Sequence, residues 1–357
     1  MRNTVSSGTE VWRDLEPAIT AALPRAWSVY ATRERPGTDG LLTLAAPDGT
    51  TTTVVVETKK AVEPRDVASA VLQARSKQAN PGAVLIAAPY LSPRTREVLA
   101  ESGTGWFDLT GNLRLQLDRP ALFIDRVGAS RSPYTDPDDR RLRSLRGAGA
   151  ARIVRALLDG KPPFGVRSLA DTAEVGIATS ARVLDLLARE SLVDRADRGQ
   201  VTSVSKRSLV RRWTADYRLT ATNDAIPMLA PRGLGGVLRE LTSCDGEYAV
   251  TAEAGARAYL PADTAAVAPL SLLAVFAADP LRAQDALGLR QVERGANVLL
   301  IAPFDDVVFR GAVERDGVRY AAASQVVTDL LTSPGRAAEQ AEPLFDVLAA
   351  GDSGWAR

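Results

Sequence analysis

The chain has 357 residues, 44 Lys/Arg against 43 Asp/Glu for a net charge of +1, and 45% hydrophobic residues, a length that suggests about two or three domains with ample core. It has no histidine and one cysteine, which excludes Ser-His-Asp and Cys-His nucleophiles, imidazole zinc sites, intrachain disulfides and Cys-rich metal sites. No apolar run approaches transmembrane length and no signal-peptide core is visible, so the expected setting is the reducing cytoplasm, with no membrane contact.

Residues 1–127 read as an α/β domain. Thr9 to Leu23 has helical spacing, with Val11, Trp12, Leu15, Ile19 and Leu23 on one side. Strands are expected at Trp27–Arg33, Leu41–Ala45 and Thr51–Lys59, a helix at Pro64–Gln78, a buried strand at Ala83–Ala87 and a helix at Pro93–Ser102. Short strands follow at Gly105–Asp108, Asn112–Leu117 and Leu122–Asp125. Strands alternating with helices predict a sheet with helices on its faces.

Within this domain Ala46-Pro47-Asp48-Gly49-Thr50 joins two strands. Pro, Asp and then a left-handed Gly suit a three-residue hairpin loop with a bulge. If Ala46 pairs with Thr50, Asp39 stands opposite Glu57, and both face the same side as Lys59. A two-residue Asp48-Gly49 turn would slip the register and put Asp39 on the wrong face. Aspartate followed by Glu57-Thr58-Lys59 on the neighbouring strand resembles the PD-(D/E)xK nuclease superfamily, although Thr38 stands where that family usually has proline. The resemblance implies a restriction-endonuclease-like fold. It further implies Asp39 and Glu57 as Mg²⁺ ligands, Lys59 as the water-activating residue and Gln73 as the glutamine that some members place near the site. Regulators that borrow the fold can keep these residues without cleaving.

Asp108-Leu-Thr-Gly-Asn112 is expected to be a turn between strands. Residues 128–146, rich in Pro, Ser and charge, read as a linker.

Residues 147–206 carry three short runs with helical spacing. They are Gly147 to Leu158, Val166 to Asp171 and Ile177 to Arg189, and a polar hairpin turning at Asp197-Arg198-Gly199 follows. Ser168 and Asp171 form a capping-box-like start, and Gly176 is either the turn residue or the cap of the third helix. That order predicts a winged helix-turn-helix. On the third helix Ile177, Ala181, Leu184, Leu187 and Ala188 are expected to pack inward, with Thr179, Arg182 and Arg189 outward and Ser180 near the edge. Charge agrees: Arg126–Arg218 holds 19 Lys/Arg against 11 Asp/Glu, net +8, whereas the remainder is −7. The expected DNA contacts are Thr179, Ser180, Arg182, Arg189, Arg195, Arg198, Lys206 and Arg207.

Residues 207–357 are expected to form an α+β domain. A helix is expected at Ser208–Tyr217, and further elements at Glu247–Thr251, Arg257–Leu260, Ser271–Phe276, Val298–Ala302 and Val318–Ala321, before helices at Ala323–Leu331 and Arg336–Leu348. Val298 to Asp305, Ala323-Ser324-Gln325, Asp329-Leu330-Leu331 and Gly335-Arg336 resemble the carboxy-terminal domain of AbiEi-like antitoxins of type IV toxin–antitoxin systems. Those antitoxins set the winged helix at the amino terminus; here another domain precedes it. Gln325, Asp329 and Arg336 are read as polar residues that bridge helices internally. The whole is thus an α/β multi-domain chain, expected to be an antitoxin-like transcriptional regulator binding double-stranded DNA as a homodimer. A nucleotidyltransferase-type toxin is the partner that the resemblance implies, and a Mg²⁺-dependent nuclease is the alternative.

Overall fold

The computed structural model describes residues 8–33, 40–77, 82–134, 141–261, 270–335 and 337–356. The chain divides into two compact units, residues 1–141 with 189–191 and residues 142–188 with 192–357, both mixed α/β. Among the described residues no helix is long and apolar enough to cross a membrane.

The first unit runs α1 (Gly8–Thr20), β1 (Ser28–Arg33), β2 (Gly40–Ala45), β3 (Thr51–Thr58), α2 (Val67–Arg75), β4 (Ala83–Ala88), α3 (Pro93–Glu101), β5 (Gly105–Asp108), β6 (Leu113–Leu117) and β7 (Leu122–Arg126). Its seven strands lie in sequence order in one sheet. The pairs β3–β4 and β4–β5 are parallel and the rest antiparallel. Side chains alternate along β3, so Val54 and Val56 join the α1 face with Val11, Leu15 and Ile19, while Val55 joins the α2 and α3 face with Val71, Ala74 and Leu99.

The β2–β3 loop has the expected three-residue form. The Ala46 amide donates to Thr50 O at 2.9 Å, the Asp48 carboxylate accepts from the Thr50 amide, and Gly49 has φ +83°. Gly40 consequently stands opposite Val56. The helix expected at Pro64–Gln78 is instead a 3-10 turn, Pro64–Asp66, followed by α2. Ser92 caps α3 by accepting from the Thr95 amide at 3.0 Å, with Pro93 at the first helical position, a cap that stabilises by about 1 kcal/mol.

The second unit runs α4 (Ala148–Asp159), α5 (Val166–Thr172), α6 (Ile177–Arg189), β8 (Val193–Arg195), β9 (Val201–Val204), α7 (Lys206–Trp213), α8 (Leu219–Thr222), β10 (Asp224–Leu229), α9 (Leu234–Leu241), β11 (Tyr248–Thr251), α10 (Ala252–Tyr259), β12 (Leu273–Ala277), α11 (Pro280–Ala286), β13 (Arg290–Gln291), β14 (Val298–Ala302), β15 (Val313–Arg315), β16 (Val318–Tyr320), α12 (Ala323–Thr332) and α13 (Ala341–Gly351). Strands β8 and β9 form an antiparallel hairpin. The other strands form a mixed sheet in the order β13-β10-β14-β12-β11-β16-β15.

One apolar cluster joins Leu157 of α4, Leu184 of α6, Trp213 of α7, Phe276 of β12, Val326 of α12 and Phe345 of α13. The stretches expected as separate domains, 147–206 and 207–357, therefore share a core. Leu145, expected in the linker, belongs to the same cluster, and its amide donates to Asp216 at 2.8 Å. Arg257–Tyr259, expected as part of an element of its own, is the end of α10.

Candidate functional site

Two places carry the residues singled out in the sequence. The first is the carboxyl end of β3. Glu57 follows Val55 by two residues and so faces α2, where it is 1% exposed. One carboxylate oxygen lies 2.7 Å from Lys59 Nζ, and the other accepts from Lys77. Lys59 Nζ also donates to Gln73 Oε1 at 2.9 Å. Glu57, Lys59 and Gln73 are thus brought together, joined by Lys77, which sequence reasoning missed because it lies 20 positions from Glu57 in the turn after α2. Asp39 lies outside the described residues.

A buried carboxylate with an ammonium on each oxygen is compensated by protein charge alone. Mg²⁺ prefers one or two carboxylates with free oxygens. A divalent cation here would have to displace a lysine, and among the described residues no group of three acidic, Cys or His side chains could hold a metal ion. The described residues do not fit Mg²⁺.

The second place is α6 and the β8–β9 hairpin. Ser180, Val183, Leu184, Leu186 and Leu187 are buried. Arg182 is exposed, with its Nε donating to Ala178 O at 3.2 Å. Arg198 is exposed at the hairpin tip, where Gly199 takes φ +80°. Thr179 is half-buried, its methyl so close to α4 that a Cβ at Gly149 would lie 3.3 Å away. Arg189, half-buried, ends the helix. Lys161, before α5, and Arg167 on α5 are also exposed; sequence reasoning gave them no role, because isolated cations are usually only solvated.

Several expectations need correction. Ser180 is fully buried and donates to Val166 O at 3.1 Å, pinning the start of α6 to α5. Ile177, expected inside, is 48% exposed. The inward face of α6 is rotated from the expected one because its apolar stripe centres on Val183 and Leu187, not on Ile177 and Ala181. Lys206 is 2% exposed and cannot reach DNA. Its ammonium donates to Leu158 O, Gly160 O and Asp352, each at 2.7 Å. Burial would raise the Asp352 carboxyl, but the Lys206 hydrogen bond and the Gly354 amide outweigh it and hold it below its ordinary value.

Arg207 donates to Glu342 and lies 4.8 Å from the Phe345 ring centroid. Arg195 is likewise engaged internally, with Asp185 at 2.6 Å and Gly199 O at 3.0 Å, so it braces the hairpin against α6. Beyond the hairpin, Arg211 pairs with Glu342 and Arg212 with Asp216. The cations that follow the hairpin, Lys206 and Arg207 included, are therefore engaged with carboxylates of this chain.

A buried polar network ties α4 to α12. Arg155, 1% exposed, donates to Val307 O, Arg310 O, Asp159 and Gln325. Asp329, fully buried, accepts from Tyr217, Thr251 and Gln325 at 2.7, 2.6 and 2.9 Å. Burial pushes its carboxyl up to about 6 despite those donors. Tyr217 is raised well above its ordinary value by burial and by the neighbouring Asp329 charge. Nearby, Arg152 grips Asp305 with Nε and Nη2 at 3.0 Å. The internal role expected of Gln325 and Asp329 agrees with this; Arg336 lies outside the described residues. For Arg155 itself the signal in the sequence was the Arg155–Asp159 spacing of four.

Compared with known proteins, the chain matches no family model, no curated protein and no solved structure.

Proposed function

We propose that this chain is a sequence-specific regulator that binds double-stranded DNA, with residues 147–206 acting as a winged helix-turn-helix. The observation that carries the reading is the division of α6 into two faces. Val183, Leu184, Leu186 and Leu187 anchor it in the core, while Arg182 on the helix and Arg198 at the hairpin tip remain exposed. A helix so held can enter a major groove with an arginine toward base edges while the hairpin arginine meets phosphate. The resemblance of the carboxy-terminal stretches to AbiEi-like antitoxins supports a regulator of its own or a neighbouring promoter, in the cytoplasm. A nucleotidyltransferase-type toxin is then the partner, and a two-fold dimer would read inverted half-sites.

A mobility-shift titration against the protein's own promoter tests this. A specific complex that weakens steeply with salt is expected; equal binding to promoter and to unrelated duplex would overturn it.

The alternative implied by the nuclease resemblance, that residues 1–127 cut DNA targeted by the winged helix, is disfavoured by the pairing of both Glu57 oxygens with lysines. Nicking of supercoiled plasmid in Mg²⁺ or Mn²⁺ by the wild type, lost in Lys59→Ala, would establish it. The charge-compensated Glu57 leads us to expect no nicking.

A further inference from the structure

The start of α6 presents an apolar side chain to solvent. Ile177 is 48% exposed, Gly176 and Ala178 beside it are also exposed, and a Cβ at Gly176 would meet nothing within 4 Å. Ile177 lies beside the buried stripe of Ser180, Val183, Leu184, Leu186 and Leu187 but outside it. Two contacts fix the rotation of the helix: Ser180 is buried and bonded to Val166 O, and Thr179 packs at Gly149. The one carboxylate in the preceding turn, Glu174, is held by Arg310 at 2.7 Å, so no free anion from that turn faces the helix start. Five residues further along the same helix Arg182 is exposed, and its Nε reaches back to Ala178 O at 3.2 Å, beside Ile177.

An exposed branched aliphatic beside small residues, with an arginine folded back toward it along the helix, matches the chemistry of a thymine beside a guanine in a major groove. The thymine 5-methyl is the apolar group displayed there, and guanine O6 and N7 take an arginine fork. We propose that Ile177 reads a thymine methyl in the half-site and so determines specificity together with Arg182. This inference rests on the DNA-binding reading and adds which base pair the helix tip selects. The occupant is duplex DNA because residues 161–198 carry the exposed cations Lys161, Arg167, Arg182 and Arg198, which suit a polyanion, while the exposed Glu174 and Asp185 of this stretch are paired with Arg310 and Arg195.

The test uses the full chain and a duplex that it enriches from a random-sequence pool. Deoxyuridine is then placed at each thymine in turn, which removes one methyl group and nothing else. At one thymine per half-site the wild type is expected to lose about fourfold in affinity, the worth of one methyl kept from water. Ile177→Ala should bind the thymine and uracil duplexes alike. Its thermal unfolding should match the wild type's, since the side chain is not in the core. Indifference of the wild type to uracil at every thymine of a duplex that it binds specifically would overturn the proposal, as would undiminished sensitivity in Ile177→Ala. Failure to enrich any duplex would instead overturn the DNA-binding reading, and this inference with it.

Discussion

Arg155 and Asp329 are joined through a single side-chain amide. Gln325 accepts from Arg155 at 2.9 Å and donates to Asp329 at 2.9 Å, so the first helix of the candidate DNA-binding region and the buried acid of α12 share one network. Both charges are almost completely removed from water, where hydrogen bonds are strong and unmet groups costly.

Asp329 should make stability depend on pH in a direction that can be worked out. Its carboxyl is raised from 3.8 to about 6 in the fold, so the folded chain holds the proton more tightly than the unfolded one. The contribution is fully favourable below about pH 4 and is lost as pH rises through about 6, a cost on the order of 3 kcal/mol at neutral pH. Asp329→Asn removes the titration. The stability difference between wild type and variant, measured by urea unfolding from pH 4 to pH 8, should therefore shift toward the variant as pH rises. A difference constant with pH would contradict the assignment.

Lys206→Met should destabilise without touching recognition. The substitution leaves Leu158 O, Gly160 O and Asp352 without their shared donor, at a cost of about 3 kcal/mol. Urea unfolding should show that loss, whereas DNA affinity and its salt slope, measured well below the midpoint, should stay at wild-type values. A reduced salt slope would mean that the ammonium does reach phosphate.

Arg198→Ala and Arg182→Ala should fail differently. Removing the exposed hairpin arginine should weaken all sequences alike and lower the salt slope by about 1. Removing Arg182 should cost about 1–3 kcal/mol on the preferred site and little on unrelated duplex. Titrations of both variants at several salt concentrations separate these outcomes.

Glu57→Gln should loosen the first unit. Lys59 and Lys77 would face each other with no carboxylate between them, lowering stability by about 2 kcal/mol. Because protein charge alone compensates Glu57, Mg²⁺ should leave the wild-type melting temperature unchanged in differential scanning calorimetry. A rise on adding Mg²⁺, absent in the variant, would show a metal site.

Local chemistry was legible in the sequence where a residue type dictates a backbone. Pro47-Asp48-Gly49 gave the hairpin loop and with it the register that sets Gly40 against Val56. The run of strands in the first unit followed from alternation and turn residues. The phase of α6 was not legible. Periodicity says that Ile177 and Ala181 share a face, but which face turns inward depends on Val166 and Gly149, which lie far back along the chain. The fates of Lys206 and Arg207 were hidden for the same reason. Their partners Asp352 and Glu342 stand more than 130 positions away, and a basic pair reads the same whether it meets phosphate or a carboxylate of its own chain.

The cluster that runs from Leu157 through Trp213 to Phe345 bears on how this chain can be handled and how it can change. A fragment ending at Lys206 would lay bare the apolar sides of α4 and α6 with nothing to cover them. Such a piece should precipitate instead of retaining its grip on an operator. Recombination that swaps the helices and hairpin for those of another regulator would have to carry the second sheet along with them.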